Sequence, residues 1–229
     1  MAGVLLSFEG GEGCGKTTQI ELLADVLQER GRDVVVTREP GGTPLGLALR
    51  QILLNLELEQ QVEQQADAPL AAKAELLLML ADRAQHIQAV IAPSLQAGQI
   101  VLCDRFADST TAYQGHGRGF DLAEIARLNA FVCGACMPQL TFVLDLPVAV
   151  GLRRAQERRG TAAVDHFEAE SVAFHERVRS GFLQIARADP ERVCILDANQ
   201  SIDVVQRAIL EKVQKQLPIL ALTALKDKP

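Results

Sequence analysis

The residues with the clearest capacity for chemistry lie near the start of the chain, at Gly10 to Thr18, reading GGEGCGKTT. Within this stretch Gly10, Gly15, Lys16 and Thr17 satisfy the spacing G-x-x-x-x-G-K-[ST]. Glycines let backbone N–H groups turn inward onto phosphate oxygens without side-chain clashes. A helix opening at Lys16 adds its free N–H groups and the positive end of its dipole. Lys16 then reaches toward β- and γ-phosphates, and the Thr17 hydroxyl suits Mg²⁺. Gly11, Glu12, Gly13, Cys14 and Thr18 complete a loop whose expected ligand is a nucleotide.

A metal ion held there needs a carboxylate at the end of a neighbouring buried strand. Asp104, closing the run Ile100-Val101-Leu102-Cys103, and Asp145, within Leu140 to Leu146, both fit from pattern alone. Asp104 is favoured, because Arg105 follows it at once; Asp145 is otherwise a strand-end residue capping a helix that opens at Pro147. Arg38, Arg50, Arg83 and Arg105 fall at or near element ends that face one cleft, and a guanidinium grips phosphate oxygens through a planar fork. They point to a second phosphate-bearing molecule opposite the nucleotide. A further basic run, Arg153, Arg154, Arg158 and Arg159, precedes a weakly patterned stretch from Thr161 to Asp165. It is either a solvated face or a mobile lid over the transferring group.

These residues need a scaffold, and the remaining pattern supplies one. Apolar runs near Val4–Glu9, Asp33–Thr37, Ile100–Asp104, Leu140–Leu146 and Val193–Leu196 alternate with helical periodicities. Such alternation argues for a parallel α/β sheet covered on both faces. Helices are expected over Lys16–Arg30, Leu45–Leu54, Ala71–Leu95, Leu122–Val132, Glu168–Ala188 and Ile202–Gln216, with another opening at Pro147. Asp121 reads as an N-cap. The 229 residues suit one domain, and 48% apolar with 23% charged residues is ordinary for a globular protein. A net charge of −6 argues against a nucleic-acid polymer as partner. No apolar run is long enough for a membrane span and no export signal is visible, so a cytoplasmic location is expected. The five cysteines are odd in number and scattered, which suggests reduced thiols; Cys133 and Cys136 lack the second ligand pair a zinc site needs.

Two function classes fit: a kinase acting on a small acceptor, and a nucleotide-dependent switch. The N-K-x-D and D-x-x-G motifs of a GTPase are not found. The chain resembles the bacterial thymidylate kinases, which transfer phosphate from ATP to dTMP. Four stretches carry the likeness: F-E-G-x-x-G-x-G-K-T at Phe8 to Thr17, T-R-E-P-G-G-T-P at Thr37 to Pro44, Asp82-Arg83-Ala84-Gln85, and D-R-F-x-D-S-x-x-A-Y-Q-G at Asp104 to Gly115.

The resemblance implies a P-loop kinase fold, with a five-stranded parallel sheet flanked by helices, a mobile lid at about 153–168, and a homodimer using ATP and Mg²⁺. Residue by residue, it implies that Arg105 and Arg83 hold the dTMP phosphate with Arg50 beside them. It places Glu12 near the sugar 3′-hydroxyl and Glu39 at the phosphate and metal side. Thr110 and Gln114 are expected at the thymine edge, and Tyr113 where a 2′-hydroxyl would lie. Because the phosphate loop carries no arginine, the lid type is implied, with Arg154 and Arg159 supplying charge beside Lys16, Asp104 and Arg105. Three departures stand out. Met79 occupies a stacking position that is commonly Phe, Asp165-His166-Phe167-Glu168 replaces D-R-[FI]-E, and 55–73 is long and Gln-rich.

Overall fold

The computed structural model describes residues 3–54, 70–160 and 166–220. Most of the Gln-rich segment, lid residues 161–165 and the tail beyond 220 lie outside these. Five strands, β1 (Val4–Glu9), β2 (Val34–Arg38), β3 (Ile100–Asp104), β4 (Leu140–Asp145) and β5 (Val193–Asp197), form one parallel sheet in the order β2-β3-β1-β4-β5. The central runs β1, β3 and β4 are buried on both faces, which is why they are continuously apolar, while the edge strands β2 and β5 are partly exposed. Alternate residues serve opposite layers. Leu6, Phe8, Leu102 and Phe142 pack with Ile20, Leu23, Ile209 and Val213, whereas Leu5, Val101 and Cys103 pack with Ile91 and Phe106. β1 lies between β3 and β4, so the chain winds away from it in both directions. The loop leaving its carboxyl end therefore opens into the crevice where such sheets bind ligands.

The helices α1 (Lys16–Glu29), α2 (Pro44–Leu54), α6 (Leu122–Cys133) and α9 (Ile202–Gln216) occupy the stretches expected of them to within one residue. Asp121 caps α6 by accepting from Glu124 N at 2.8 Å. The long helix expected over Ala71–Leu95 is α3 (Ala72–His86), a π-helical turn at Ile87–Ile91, and α4 (Ala92–Gln96). Pro93 lacks the N–H that an α-helical ladder needs, and the widened turn before it accommodates that loss.

Three local expectations change. Over Arg105 to Phe120, where the sequence suggests a polar loop with a short helix, most of the length is helical, as α5 (Ala107–Thr110) and a π-helical run at Thr111–Gly117. It packs closely on α8 (Val172–Ala188): a Cβ at Gly117 would fall 2.7 Å from the Phe174 ring. Helix α8 itself starts later than Glu168, because Ser171 caps it by accepting from Phe174 N at 3.2 Å. Asp145 does not cap α7 (Val148–Arg159). Arg179 of α8 takes both its oxygens at 2.7 and 2.9 Å, a bidentate charged pair stronger than a cap to a neutral N–H.

All five cysteines are free thiols, and burial raises the pKa of Cys133 to about 11, in keeping with an inert role. Among the described residues, no helix is long and apolar enough to cross a membrane.

Candidate active site

The loop between β1 and α1 is shaped by its glycines. Gly13 has φ +65°, and a Cβ there would fall 2.2 Å from the Gly151 carbonyl of α7, so only glycine lets the helix back against the loop. Lys16 Nζ donates to the Gly10 and Gly11 carbonyls at 3.4 and 3.1 Å, holding the ammonium within the loop's curve. Thr17 Oγ1 donates to Asp104 Oδ2 at 3.4 Å, while Asp104 Oδ1 is buried with no hydrogen-bond partner. A hydroxyl beside a carboxylate with an orphaned oxygen is a donor set suited to a hard divalent cation. The open chamber here, about 830 Å³, is lined by Gly13 to Thr18 with Arg38, Asp104, Arg105 and Arg158.

Arg105 links this chamber to a second one. Its backbone has φ 69°, a left-handed conformation uncommon for a residue with a side chain. Its N–H donates to Phe8 O at 2.9 Å, which ties the turn to β1. The guanidinium donates to Gly10 O at 3.0 Å and to Glu12 Oε1 at 2.8 Å, and lies over the Tyr113 ring at 4.9 Å. Tyr113 Oη donates to the same Glu12 oxygen at 3.1 Å. Burial disfavours the Glu12 carboxylate, but Arg105, Lys16 and the tyrosine hydroxyl outweigh it and hold the group below the ordinary range. Glu12 therefore stays charged as a hydrogen-bond acceptor. Burial likewise raises the Tyr113 phenol, which remains a donor at neutral pH.

The second chamber, about 610 Å³, is lined by Glu12, Glu39, Arg50, Met79, Arg83, Arg105, Thr110, Tyr113 and Gln114. It thus gathers residues from β1's loop, the β2 loop, α2, α3 and the helical stretch after β3. Arg83 is nearly inaccessible, and each of its nitrogens has a protein partner. Nε donates to Glu39 Oε2 at 2.8 Å, Nη1 to Asn129 Oδ1 at 3.0 Å and Nη2 to Phe106 O at 3.0 Å. Glu39 Oε1 is engaged by His86 Nδ1 at 2.9 Å. Both groups border the chamber with part of their hydrogen-bonding capacity already used. Arg50 donates to Pro40 O at 3.0 Å, and its side chain reaches both chambers.

Every substrate-side residue expected from the sequence lines the second chamber, and Gly13 to Thr18 line the first with Asp104 and Arg105. The α7 arginines divide differently. Arg158 lines the phosphate-loop chamber. Arg154 donates to Ala198 O at 3.3 Å, and Arg159 pairs with Glu168. Sequence reading also passed over Phe167, which borders the second chamber and meets Tyr113 edge-on at 5.6 Å. The available signal for it was its place as the large apolar residue of the lid stretch Asp165-His166-Phe167-Glu168.

The thymidylate kinase family model matches residues 8–209. A thymidylate kinase of Desulfovibrio desulfuricans is 51% identical over 201 residues, covering 86% of this chain and 88% of that one. One from Geobacter sulfurreducens is 47% identical over 219 residues, covering 94% and 99%. The crystal structure of thymidylate kinase from Ehrlichia chaffeensis superposes with a TM-score of 0.71 at 35% identity, over 93% of this chain and 99% of that one. Matched almost from end to end in both sequence and backbone, the chain belongs to the thymidylate kinase family.

Proposed function

We infer that this chain phosphorylates dTMP to dTDP with ATP as donor and Mg²⁺ as metal, a step in making dTTP. The observation that carries the site assignment is the sharing of Glu12, Glu39, Arg50 and Arg105 between the two chambers. Two phosphate-bearing molecules, one in each chamber, meet over these residues. A phosphate oxygen is already a competent nucleophile near neutral pH, so the work is positioning and charge neutralisation.

The donor phosphates are assigned to the backbone of Gly10 to Thr18 with Lys16, and the acceptor phosphate to Arg105 with Arg50 and Arg83. Thr17 and Asp104 are assigned to the cation, which when bound neutralises charge on the donor phosphates. Glu12 orients Arg105 and Tyr113 and offers an acceptor to the sugar. Tyr113 fills the space a ribose 2′-hydroxyl would need, and Thr110 and Gln114 take the base edge with Met79 against its face. Arg158, with Arg154 and Arg159 nearby on α7, supplies positive charge from a lid at about 153–168.

The reading extends to a cytoplasmic homodimer built from one domain. Leu77 and Phe131, 61% and 86% exposed on the neighbouring helices α3 and α6, support a partner face there. ADP release coupled to dTMP, dUMP, dCMP and dGMP as competing acceptors tests the activity. Turnover is expected to favour dTMP; preference for another acceptor, or none, would overturn it.

A further inference from the structure

Glu75 lies on α3 with no accessible surface, and both its oxygens are in use. Oε1 accepts from Gln114 Nε2 at 2.8 Å and from Arg118 Nε at 3.3 Å. Oε2 accepts from Arg118 Nη2 at 2.8 Å and lies 3.2 Å from His166 Nε2. Arg118 is held in turn by Glu170 and by the Phe174 ring, 4.7 Å away.

A carboxylate paired with a guanidinium offers only acceptors, so Gln114 must present its NH₂ to it. The opposite flip would set the amide oxygen against the carboxylate and leave two buried acceptors without a proton between them. Gln114 lines the chamber assigned to dTMP, and its Oε1 has no hydrogen-bond partner among the described residues.

We propose that Glu75 is a positioning residue for base selection, fixing the Gln114 amide so that an acceptor oxygen faces the base. Thymine and uracil carry a donor at N3–H and satisfy that oxygen. Cytosine presents a lone pair at N3 and does not, which leaves a buried polar group unsatisfied in the wrong complex. The inference rests on the dTMP reading of the chamber and adds where its discrimination against cytosine originates.

The test is kcat/KM for dTMP, dCMP and dUMP in the full-length enzyme. In Glu75→Gln the partner at position 75 can donate or accept, so the Gln114 amide is free to flip. The dTMP:dCMP ratio should then fall by roughly tenfold or more, the scale of one lost base-edge contact. The dTMP:dUMP ratio should hold, because both bases carry N3–H. The exchanged pair Glu75→Gln/Gln114→Glu again has one amide and one carboxylate, and should restore the dTMP:dCMP ratio.

An unchanged dTMP:dCMP ratio in folded Glu75→Gln overturns the inference. So does an equal fall in both ratios, which marks general loosening. Should Glu75→Gln fail to fold, Gln114→Glu alone decides the matter. Its carboxylate would face Glu75, with Arg118, His166 and Glu170 around the pair, and a proton must bridge the two. Its kcat/KM for dTMP should therefore rise relative to the parent as pH falls, and a profile parallel to the parent's overturns the inference. Failure of the underlying reading looks different. If Gln114→Ala leaves the dTMP:dCMP ratio unchanged, Gln114 does not meet the base, and the chamber assignment falls with it.

Discussion

Replacing Arg83 with methionine tests whether its guanidinium is first a structural cation. Arg83 and Glu39 are 2% and 4% exposed, and their contact is 2.8 Å. Arg83→Met keeps much of the side chain's volume but leaves the Glu39 carboxylate buried with only His86 Nδ1 against it among the described residues. It also removes the donors to Asn129 Oδ1 and Phe106 O and the cation over the Phe106 ring at 5.3 Å. Removing one member of a buried pair costs about 3–5 kcal/mol, chiefly through the charge left behind. For a domain of this size each kcal/mol shifts Tm by about 2–4 °C, so the ligand-free protein should melt roughly 6–20 °C lower. Calorimetry or thermal denaturation followed by circular dichroism measures this. Adding Glu39→Gln in the Arg83→Met background removes the orphaned charge and should recover part of the loss, whereas Glu39→Gln alone destabilises. A loss below about 1 kcal/mol for Arg83→Met, the scale of a solvated surface pair, would refute the argument.

Lys16→Ala should abolish phosphoryl transfer with little change in melting, since Lys16 Nζ bonds within the phosphate loop; normal turnover in the coupled assay would remove that role. Arg158→Ala should lower kcat far more than it raises KM for dTMP, by roughly 10³-fold if the guanidinium meets the transferring group. Arg154→Ala/Arg159→Ala should cost less, because those side chains are engaged at Ala198 and Glu168, and steady-state kinetics ranks the two variants. Burial, reinforced by Asp108, raises the Glu9 pKa from 4.5 to about 8. The folded state therefore binds that proton more tightly than the unfolded state. The contribution of Glu9 to stability falls as pH rises from about 4.5 to 8, and Glu9→Gln should flatten that slope in melting curves recorded across the range.

The phosphate loop was legible because everything that defines it lies within one short stretch: glycines at fixed intervals, an apolar strand before them and a helical period after. The strands were legible for a similar reason. The central strands, buried on both faces, must be continuous apolar runs, the partly exposed edge strands still carry short apolar runs, and only strand ends shifted by a residue or so. Asp121 revealed itself as a cap because its partner, Glu124, is three residues away. The full helical extent of Thr111–Gly117 was hidden, since glycines weaken a helical pattern, while their actual use is close packing, Gly115 on Leu122 of α6 and Gly117 on Phe174 of α8.

The assignments that depended on distant partners were settled only in three dimensions. Local pattern allowed Asp145 to be a cap, but Arg179, 34 positions along, takes both its oxygens. A run of arginines on α7 has no intrinsic front. The seating of α7 against Gly13 determines that Arg158 faces the phosphate loop while Arg154 turns to Ala198. The direction of the Gln114 amide is set by Glu75, 39 positions away on another helix. Residue type fixes what a side chain is able to donate or accept, and periodicity fixes which face of its own element it occupies. Which charge stands opposite depends on how separate elements pack, and that is a property of the folded chain.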